Sequence, residues 1–328
     1  MSRVIVYGAG AIGGVVGGRL HQAGVDVTLI ARGEHLRAIR RDGLTVTSMT
    51  ATVTLPVAAV GDPGDAAIGD DDIVLLAVKS QHTAAVLERL AATAPPGITV
   101  ACLQNGVGNE RAALRHFPHV VGVHVAMPAL HLHPGQVTAN GTPFEGLFDI
   151  GCFPRGADSR AAAVADVLTL GGFDCRVVDD VMRWKYRKLV TNLTNAIDVV
   201  CGTAARGGEL GRLARLEGER CLAAAGIAVA TADEDAARRN GRLTWRLADE
   251  DRHTGSSTWQ SVARGSSSIE VDYLNGEIVT EARLHGEQAP INELLQRLAH
   301  AVASGSESGY AEDDLLALLG RPRPERSQ

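Results

Sequence analysis

The chain has 328 residues, of which 45% are hydrophobic and 21% charged, and its formal net charge at pH 7 is −6. This length is enough for two domains, and the composition is ordinary for a globular protein. The negative charge argues against nucleic acid or an anionic membrane as a partner. The apolar segments are short, and the first one resembles a strand, not a signal peptide, so we expect a cytoplasmic protein. Five widely spaced cysteines predict buried free thiols.

The first predicted strand leads directly into a glycine-rich turn. The apolar run from Val4 to Tyr7 is followed by G-x-G-x-x-G and then by a helix-like segment. In this order the first glycine permits the turn, the second lets the backbone approach a pyrophosphate, and the third lets the helix pack closely on the strand. We therefore predict a dinucleotide site, the alternative being a purely conformational turn, with cofactor-binding residues Gly8, Ala9, Gly10, Ala11, Ile12 and Gly13.

The end of the second predicted strand favours NADP. This strand, Val25 to Ile30, follows a helix-ending glycine at Gly24 and is itself followed by Arg32. An NAD site usually has an acidic residue there to bind the ribose 2′-hydroxyl. The guanidinium of Arg32 can instead bind a 2′-phosphate through paired hydrogen bonds, with Arg37 or Arg40 as helpers. The alternative is that Arg32 is a solvated loop charge.

The remaining pattern predicts an α/β fold with two domains. Apolar strand patterns alternate with helical ones up to about residue 178, and after Val181 helical periodicity continues without strand signals. We expect a Rossmann-type doubly wound parallel sheet in residues 1–178, an all-helical substrate and dimerisation domain in residues 179–320, and a frayed tail in residues 321–328. The further elements predicted in the first domain are strands at 72–78, 99–103, 120–123 and 174–178 and a helix at 81–90.

Polar residues follow two of these strands, where parallel sheets bind their ligands. Lys79 follows the strand at 72–78, and Asn105 and Gly106 follow the strand at 99–103. Lys79 can meet a cofactor phosphate or ribose, and Asn105 can bind the nicotinamide ribose or a substrate. Gly106 allows close backbone approach, although Asn-Gly is also an ordinary turn sequence.

The helix that opens the second domain carries a lysine and two carboxamides. At 100° per residue, Lys188, Asn192 and Asn195 fall on one face, which predicts a polar pocket for a small oxygenated ligand. A solvated face of a basic helix is the alternative. Later in the chain, the hydroxyls of Ser257 and Thr258 and a carboxylate can complete such a site, or they can be helix caps.

Three histidines suggest a metal site, which we do not predict. His124, His131 and His133 include a His-x-His pair, which in a strand would place two rings on one face. No nearby set of cysteines or carboxylates completes the ligands. We therefore expect edge-strand or loop histidines.

Taken together, these motifs resemble those of the ketopantoate reductase (2-dehydropantoate 2-reductase) family. The resemblance covers most of the chain, and the order and spacing of its motifs are more specific than the glycine loop alone. The motifs are Gly8 to Gly13, Lys79 and Asn105-Gly106, Lys188-Leu189-Val190-Thr191-Asn192, and Glu270-Val271-Asp272-Tyr273-Leu274-Asn275-Gly276.

The resemblance implies NADPH-dependent reduction of a small 2-oxo acid by hydride transfer. Lys188 matches the catalytic lysine, which donates a proton to the developing alkoxide, and Glu270 matches the carboxylate near it. Asn192 and Ser257 or Thr258 match substrate-binding positions. Asn105 matches a residue that touches both cofactor and substrate. The apolar helical layer also suggests a homodimer.

The chain departs from the family pattern in places that concern substrate recognition. Ala196 stands where the second asparagine is usual, with Asn195 one position early, and Ser266 to Ser268 carry one extra residue. The segment from Met127 to Pro134 is longer than usual. A related reductase of a different oxo acid or imine therefore remains an alternative to ketopantoate, as does a catalytically silent NADP-sensing protein. The presence of both Lys188 and Glu270 speaks against the sensor.

Overall fold

The apolar runs of the N-terminal half become strands in the computed structural model, which describes residues 2–245, 255–265, 268–307 and 309–320. The predicted tail and two of the three consecutive serines, Ser266 and Ser267, lie outside the described residues. The strands are β1 Val4–Tyr7, β2 Val27–Ile30, β3 Leu44–Thr47, β4 Thr52–Leu55, β5 Ala58–Val60, β6 Ile73–Leu76, β7 Thr99–Cys102, β8 His119–Ala126, β9 Ala129–Leu130, β10 Gln136–Ala139, β11 Gly141–Pro143, β12 Leu147–Cys152, β13 Asp174–Val177 and β14 Leu243–Trp245.

Helices separate many of these strands and make up most of the second half of the chain. They are α1 Ala11–Gln22, α2 Gly33–Asp42, α3 Thr83–Ala91, α4 Asn109–Leu114, α5 Ser159–Leu170, α6 Val181–Asn192, α7 Asn195–Val200, α8 Glu209–Ala224, α9 Ala232–Arg239, α10 Ser257–Ala263, α11 Asn275–Leu284, α12 Pro290–Ala303 and α13 Glu312–Leu318. Within the described residues, no helix combines the length and the apolar composition needed to cross a bilayer.

The main sheet has eight strands in the order β13-β12-β8-β7-β6-β1-β2-β5. Its strands are apolar on both faces because helices cover both: Val4 and Val6 belong to one hydrophobic core, and Ile5 belongs to the other. The strands from β8 to β5 pair in parallel, which confirms the Rossmann-type α/β fold. One feature differs from an all-parallel sheet: β12 is antiparallel to β8, and β13 is parallel to β12.

Two smaller sheets accompany the main one and were not predicted. Strands β4-β3-β10-β9 form a second sheet beside α1, and β11 pairs with β14. These strands have only two to four residues each. Their pairings join distant segments, such as Gly141 opposite Trp245, so a local pattern gives little signal for them.

The chain divides into two compact units, and the division is not a single cut. The first unit contains residues 1–185 and 230–247, and the second contains 186–229 and the chain from 248 onward. In the second unit, the described regular elements are all helical, as predicted. The return of residues 230–247 to the first unit was not anticipated from the sequence. Arg238 anchors this segment, because its Nε donates to the buried Asp149 over 2.7 Å.

The cysteines were expected to be buried free thiols; all five are free, but only Cys102 and Cys221 are buried. Partial burial raises the pKa of the Cys175 thiol to about 12 and that of Cys201 to about 11, so both are protonated near neutral pH.

Candidate active site

The glycine-rich loop after β1 has three glycines with three different environments. Gly8 has a φ of +107°, and a methyl group there would lie 2.9 Å from the backbone of Ala77 and Val78. A methyl group at Gly13 would lie 2.0 Å from the Gly8 carbonyl oxygen, so only glycine fits. A methyl group at Gly10, in contrast, would meet no heavy atom within 4 Å. The loop is therefore tightly packed at its two ends and open in the middle.

Helix α1 begins immediately after this opening. Gly10 is its N-cap, and no acidic residue lies in its first turn. The first N–H groups of a helix have no intrahelical acceptors, and the helix dipole makes this end partly positive. The loop and the start of α1 can thus hold an anionic group such as a pyrophosphate.

Of the three arginines considered for a 2′-phosphate, two have other partners. Arg37 pairs with Glu34 one helical turn away, and Arg40 donates from Nε to the Ala59 carbonyl oxygen over 3.0 Å. Arg32, directly after β2, is exposed at the N-cap of α2. No hydrogen bond or ion pair joins its side chain to another described residue, so its guanidinium is available for an anion.

The two loops that follow β6 and β7 are joined by side-chain hydrogen bonds. Gln104 donates from Nε2 to the Val78 carbonyl oxygen (2.9 Å) and to the Thr83 hydroxyl (2.7 Å). The Thr83 hydroxyl donates in turn to Asn109 Oδ1 (2.8 Å), and Asn109 Nδ2 donates to the Asn105 carbonyl oxygen (2.8 Å). This network fixes the backbone that carries Asn105.

The predicted residues of these loops lie on both sides of this network. Lys79, half-buried, is the residue before the short 3₁₀ turn Ser80–His82. Gly106 follows Asn105 with a φ of +79°, which favours glycine. Ser80 donates from its hydroxyl to the Asn105 carbonyl oxygen over 3.3 Å. Hydrogen bonds to the backbone carbonyl groups of Val78 and Asn105 therefore hold the loop that carries Lys79 next to the loop that carries Asn105 and Gly106.

A buried ion pair adjoins this loop, and sequence analysis missed it. Lys185 on α6 pairs with Glu110 on α4, and their side chains are 3% and 0% exposed. Lys185 also donates from Nζ to the Gln104 carbonyl oxygen over 2.9 Å. Glu110 follows the Asn105-Gly106 turn closely, but Lys185 lies in a run of cations that predicts a solvated surface. The surrounding basic residues therefore gave no indication that Lys185 is buried.

In the second unit, Lys188 and Asn192 lie four residues apart on α6 and share one helical face. Asn192 is only 6% exposed, yet its carboxamide makes no hydrogen bond with another described residue. Neither its amide nitrogen nor its amide oxygen is fully buried, so a ligand can reach both atoms. Lys188 is half-buried.

The other residues predicted in this unit differ in exposure. Ser257 is the first residue of α10 and is half-buried, whereas Thr258 is 1% exposed and its hydroxyl has no partner among the described residues. Glu270 is 4% exposed and begins the short 3₁₀ turn Glu270–Tyr273. Asn275, in the same motif, has a structural role, because its Nδ2 donates to the Leu193 carbonyl oxygen over 3.0 Å.

The single helical face predicted for Lys188, Asn192 and Asn195 is wrong at its last member. Helix α6 ends at Asn192, and α7 begins at Asn195. Between them, the Thr194 hydroxyl donates to the Thr191 carbonyl oxygen and accepts from Arg206, which competes with regular helix bonding. The side-chain oxygen of Asn195 accepts from Arg206 Nη2 over 2.9 Å, so its orientation is set by that arginine.

The three histidines do not form a metal site in the described residues, which contain no suitable cluster of His, Cys, Asp or Glu. His124 lies on β8, an inner strand of the main sheet and not the expected edge strand or loop, and its Nδ1 is 2.9 Å from the buried carboxylate of Asp149. Burial by itself would raise the pKa of Asp149, but His124 and Arg238 hold it below the usual range. The ring of His131 lies 4.2 Å from that of His35.

Known proteins match this chain along nearly its whole length. The family model "Ketopantoate reductase PanE/ApbA" matches residues 4–155, and "Ketopantoate reductase PanE/ApbA C terminal" matches residues 180–303. The 2-dehydropantoate 2-reductase of Pyrococcus horikoshii is 30% identical over 92% of this chain and 98% of its own. That of Halobacterium salinarum is 32% identical over 90% of this chain and 97% of its own.

Solved structures agree with these matches. The PanE/ApbA family ketopantoate reductase from Ralstonia eutropha JMP134 superimposes with a TM-score of 0.77 at 28% identity, over 93% of this chain and 100% of its own. A D-mandelate dehydrogenase solved with NADH and anilino(oxo)acetate has a TM-score of 0.79 at 23% identity, over 92% of this chain and 99% of its own, and shows the same fold. The chain therefore belongs to the ketopantoate reductase family, a family of oxidoreductases.

Proposed function

We propose that this protein reduces ketopantoate (2-dehydropantoate) to pantoate with NADPH. The relatives from Pyrococcus horikoshii and Archaeoglobus fulgidus that carry the name 2-dehydropantoate 2-reductase align over more than nine-tenths of the chain. Support from this chain comes from Lys188 and Asn192, which lie on one face of α6. The carboxamide of Asn192 makes no hydrogen bond with another described residue, and its polar atoms are not fully buried. A lysine beside such an amide suits a small acid that also carries a ketone.

The residues of the first unit fit a bound dinucleotide. Gly10 leaves open space at the start of α1, where a pyrophosphate can accept hydrogen bonds from backbone N–H groups. Arg32, with no other partner among the described residues, is proposed to bind the 2′-phosphate, which favours NADPH over NADH. Lys79 and Asn105 are proposed to bind the cofactor phosphate or ribose, and Gly106 allows close approach. Bound NADPH supplies a hydride to the ketone carbon of the substrate.

The proton for the product oxygen is assigned to Lys188. As the ketone carbon accepts the hydride, the carbonyl π electrons move to oxygen, and the ammonium of Lys188 stabilises this charge and then donates a proton. Glu270 is proposed to orient that ammonium. The substrate carboxylate and hydroxyl are assigned to Asn192, Asn195, Ser257 and Thr258, with Asn105 touching both cofactor and substrate.

The site is tested by measuring NADPH oxidation with ketopantoate and a panel of other 2-oxo acids. We expect Lys188→Ala to reduce kcat by roughly 10²- to 10⁴-fold, the usual contribution of a general acid. Arg187→Ala is the matched control, because it removes the adjacent positive charge of α6, which pairs with Glu219 on α8 over 2.9 Å. An equal loss of kcat in both variants would contradict the role of Lys188.

Cofactor preference is tested separately with Arg32→Ala. We expect the KM for NADPH to rise by about ten- to a hundredfold, since charge-assisted hydrogen bonds to phosphate are lost, and the KM for NADH to stay nearly constant. Arg37→Ala, which removes an arginine already paired with Glu34, is the control. If both cofactors weaken equally in Arg32→Ala, the 2′-phosphate is bound elsewhere.

The same assay, extended to imines and combined with a measurement of NADPH binding, separates the alternative functions. Turnover of another oxo acid or of an imine, with ketopantoate inactive, would favour a related reductase. NADPH binding without turnover of any panel member would favour a sensor. Homodimer assembly and a cytoplasmic location stay predictions from the sequence, and sedimentation of the purified protein tests the first.

A further inference from the structure

His35, on α2, connects the glycine-rich loop with the four-stranded second sheet. Its Nε2 lies 2.7 Å from the Ala9 carbonyl oxygen, and the Gly135 N–H donates to its Nδ1 over 2.9 Å. Because the Gly135 N–H can only donate, Nδ1 must be the unprotonated ring nitrogen. Nε2 therefore carries the proton and donates it to Ala9. The imidazole is in the neutral Nε2–H form, with both nitrogens used.

The bond to Ala9 controls the direction of the next N–H group. The Ala9 carbonyl and the Gly10 N–H belong to one peptide unit, and in a planar trans peptide they point in opposite directions. Holding the carbonyl oxygen therefore holds the Gly10 N–H as well. Gly10 is the N-cap of α1 and borders the open space in the glycine-rich loop.

The imidazole is itself held from the other side. Gly135 has a φ of +75° and precedes β10, and its carbonyl oxygen accepts from the Thr45 N–H on β3 over 2.9 Å. The ring of His131 lies 4.2 Å from the His35 ring, at 49° to it. Burial lowers the pKa of His35, although its bond to Ala9 opposes this, so the neutral form is favoured.

We propose that His35 is a positioning residue for the dinucleotide pyrophosphate: it aims the Gly10 N–H by holding the Ala9 carbonyl, and the second sheet holds His35 in place. This inference rests on the proposed function, because it requires a dinucleotide at the glycine-rich loop. His35 itself is not assigned a contact with the cofactor. The four-stranded sheet, which sequence analysis missed, thereby gains a role in cofactor binding.

Two conservative variants separate the two hydrogen bonds. In His35→Gln, the side-chain amide nitrogen can replace Nε2 and donate to Ala9, but the acceptor for Gly135 is lost. In His35→Asn, the side-chain oxygen can replace Nδ1 and accept from Gly135, but the amide is too short to reach Ala9. His119→Asn is the matched control, since His119 is also half-buried in the first unit and its Nε2 contacts Arg160 over 3.2 Å.

The measurement is the Kd of NADPH, of NADH and of adenosine 2′-monophosphate, which has no pyrophosphate. We expect His35→Asn to raise the Kd of NADPH by about five- to tenfold, the value of one hydrogen bond, and to leave that of adenosine 2′-monophosphate unchanged. His35→Gln should recover most of the affinity, and His119→Asn should match the wild-type protein. A general loss of structure would instead weaken all three ligands.

Equal Kd values for NADPH in His35→Gln and His35→Asn would overturn the inference, and so would a parallel loss of adenosine 2′-monophosphate binding. Both results leave the proposed function intact, because the wild-type protein still binds NADPH. Failure of the wild-type protein to bind either dinucleotide would overturn the proposed function and this inference with it. Nitrogen-15 NMR of the His35 ring checks the tautomer without any cofactor: a protonated Nδ1 at neutral pH would also overturn the inference.

Discussion

The two units differ in how they hold their buried polar groups. In the first unit, oppositely charged side chains meet away from water: Glu110 pairs with Lys185, and Asp149 pairs with Arg238. All four side chains are at most 6% exposed, and each pair joins residues at least 75 positions apart along the chain. Buried ion pairs thus join segments of the first unit that are far apart along the chain.

In the second unit, a buried carboxylate and two carboxamides bind mainly to backbone groups. Glu217 accepts from the N–H groups of Ile291 (3.1 Å) and Asn292 (2.8 Å) at the start of α12, where the helix dipole favours a negative charge. Asn292 donates from Nδ2 to the Ala214 carbonyl oxygen, and Asn275 donates to Asn292 Oδ1 over 2.9 Å.

Because of this difference, the two units should tolerate different substitutions. Removing one member of a buried ion pair leaves an uncompensated charge, whereas removing an amide leaves neutral groups without partners. The first unit should therefore be the more sensitive one. Its ion pair at Lys185 also holds the carbonyl of Gln104, directly before Asn105, so stability and site geometry are coupled there.

The largest effect is expected for Lys185→Met. The variant leaves the carboxylate of Glu110 buried without its cation, which should reduce the free energy of unfolding by about 3–5 kcal/mol. Urea denaturation measures the loss, and hydrogen exchange shows whether it is confined to the first unit. The double variant Lys185→Met/Glu110→Gln should recover part of the loss, because no charge is then buried. A double variant less stable than Lys185→Met would contradict the ion-pair explanation.

The main sheet could be predicted from the sequence and the Lys185–Glu110 ion pair could not, because the sheet's strands are recognised from local patterns and the ion pair depends on a distant residue. A strand buried on both faces must be apolar along its length, so Val4–Tyr7 and Ile73–Leu76 were visible in the sequence. The glycine-rich loop was visible because steric contacts fix its spacing within six residues. Lys185 becomes buried only because a partner 75 residues earlier is buried with it.

The predicted site shows the same limit. The placement of Lys188 and Asn192 on one face depends only on helix geometry and could be predicted. The end of the helix at Asn192 could not be predicted in this way. It involves Thr194 and Arg206, and Arg206 belongs to a later turn of the chain. The same applies to His35, whose role depends on Gly135, directly before β10, in a part of the fold that only the folded chain assembles.

A smaller effect is expected for Asn275→Ala in the second unit. The variant leaves the Leu193 carbonyl oxygen and Asn292 Oδ1 without this donor, which should cost about 1–3 kcal/mol of unfolding free energy. Asn240→Ala, at the exposed end of α9, is the control and should change the free energy by less than about 0.5 kcal/mol. If Asn275→Ala destabilises the protein as much as Lys185→Met, the proposed difference between the units does not hold.

The smallest effect is expected for an ion pair at the surface of the first unit. This pair tests whether burial or charge alone makes the buried pairs important. The hydrogen bond from Arg183, followed by that from the Thr231 N–H, lowers the pKa of Glu234 to about 2 from its ordinary 4.5. Because the folded-state pKa is the lower one, the stabilisation is complete above about pH 4.5 and is lost as the pH falls towards 2.

Arg183→Ala should therefore raise the pKa of Glu234 towards 4.5 without reaching it, because the Thr231 N–H still donates over 2.7 Å. Carboxyl carbon-13 NMR during an acid titration measures this pKa directly. At neutral pH the variant should lose less stability than Asn275→Ala, since solvent screens a pair whose side chains are 32% and 39% exposed. A loss as large as that of Lys185→Met would mean that exposed and buried ion pairs stabilise this unit alike, and the contrast between the units would then rest on charge alone.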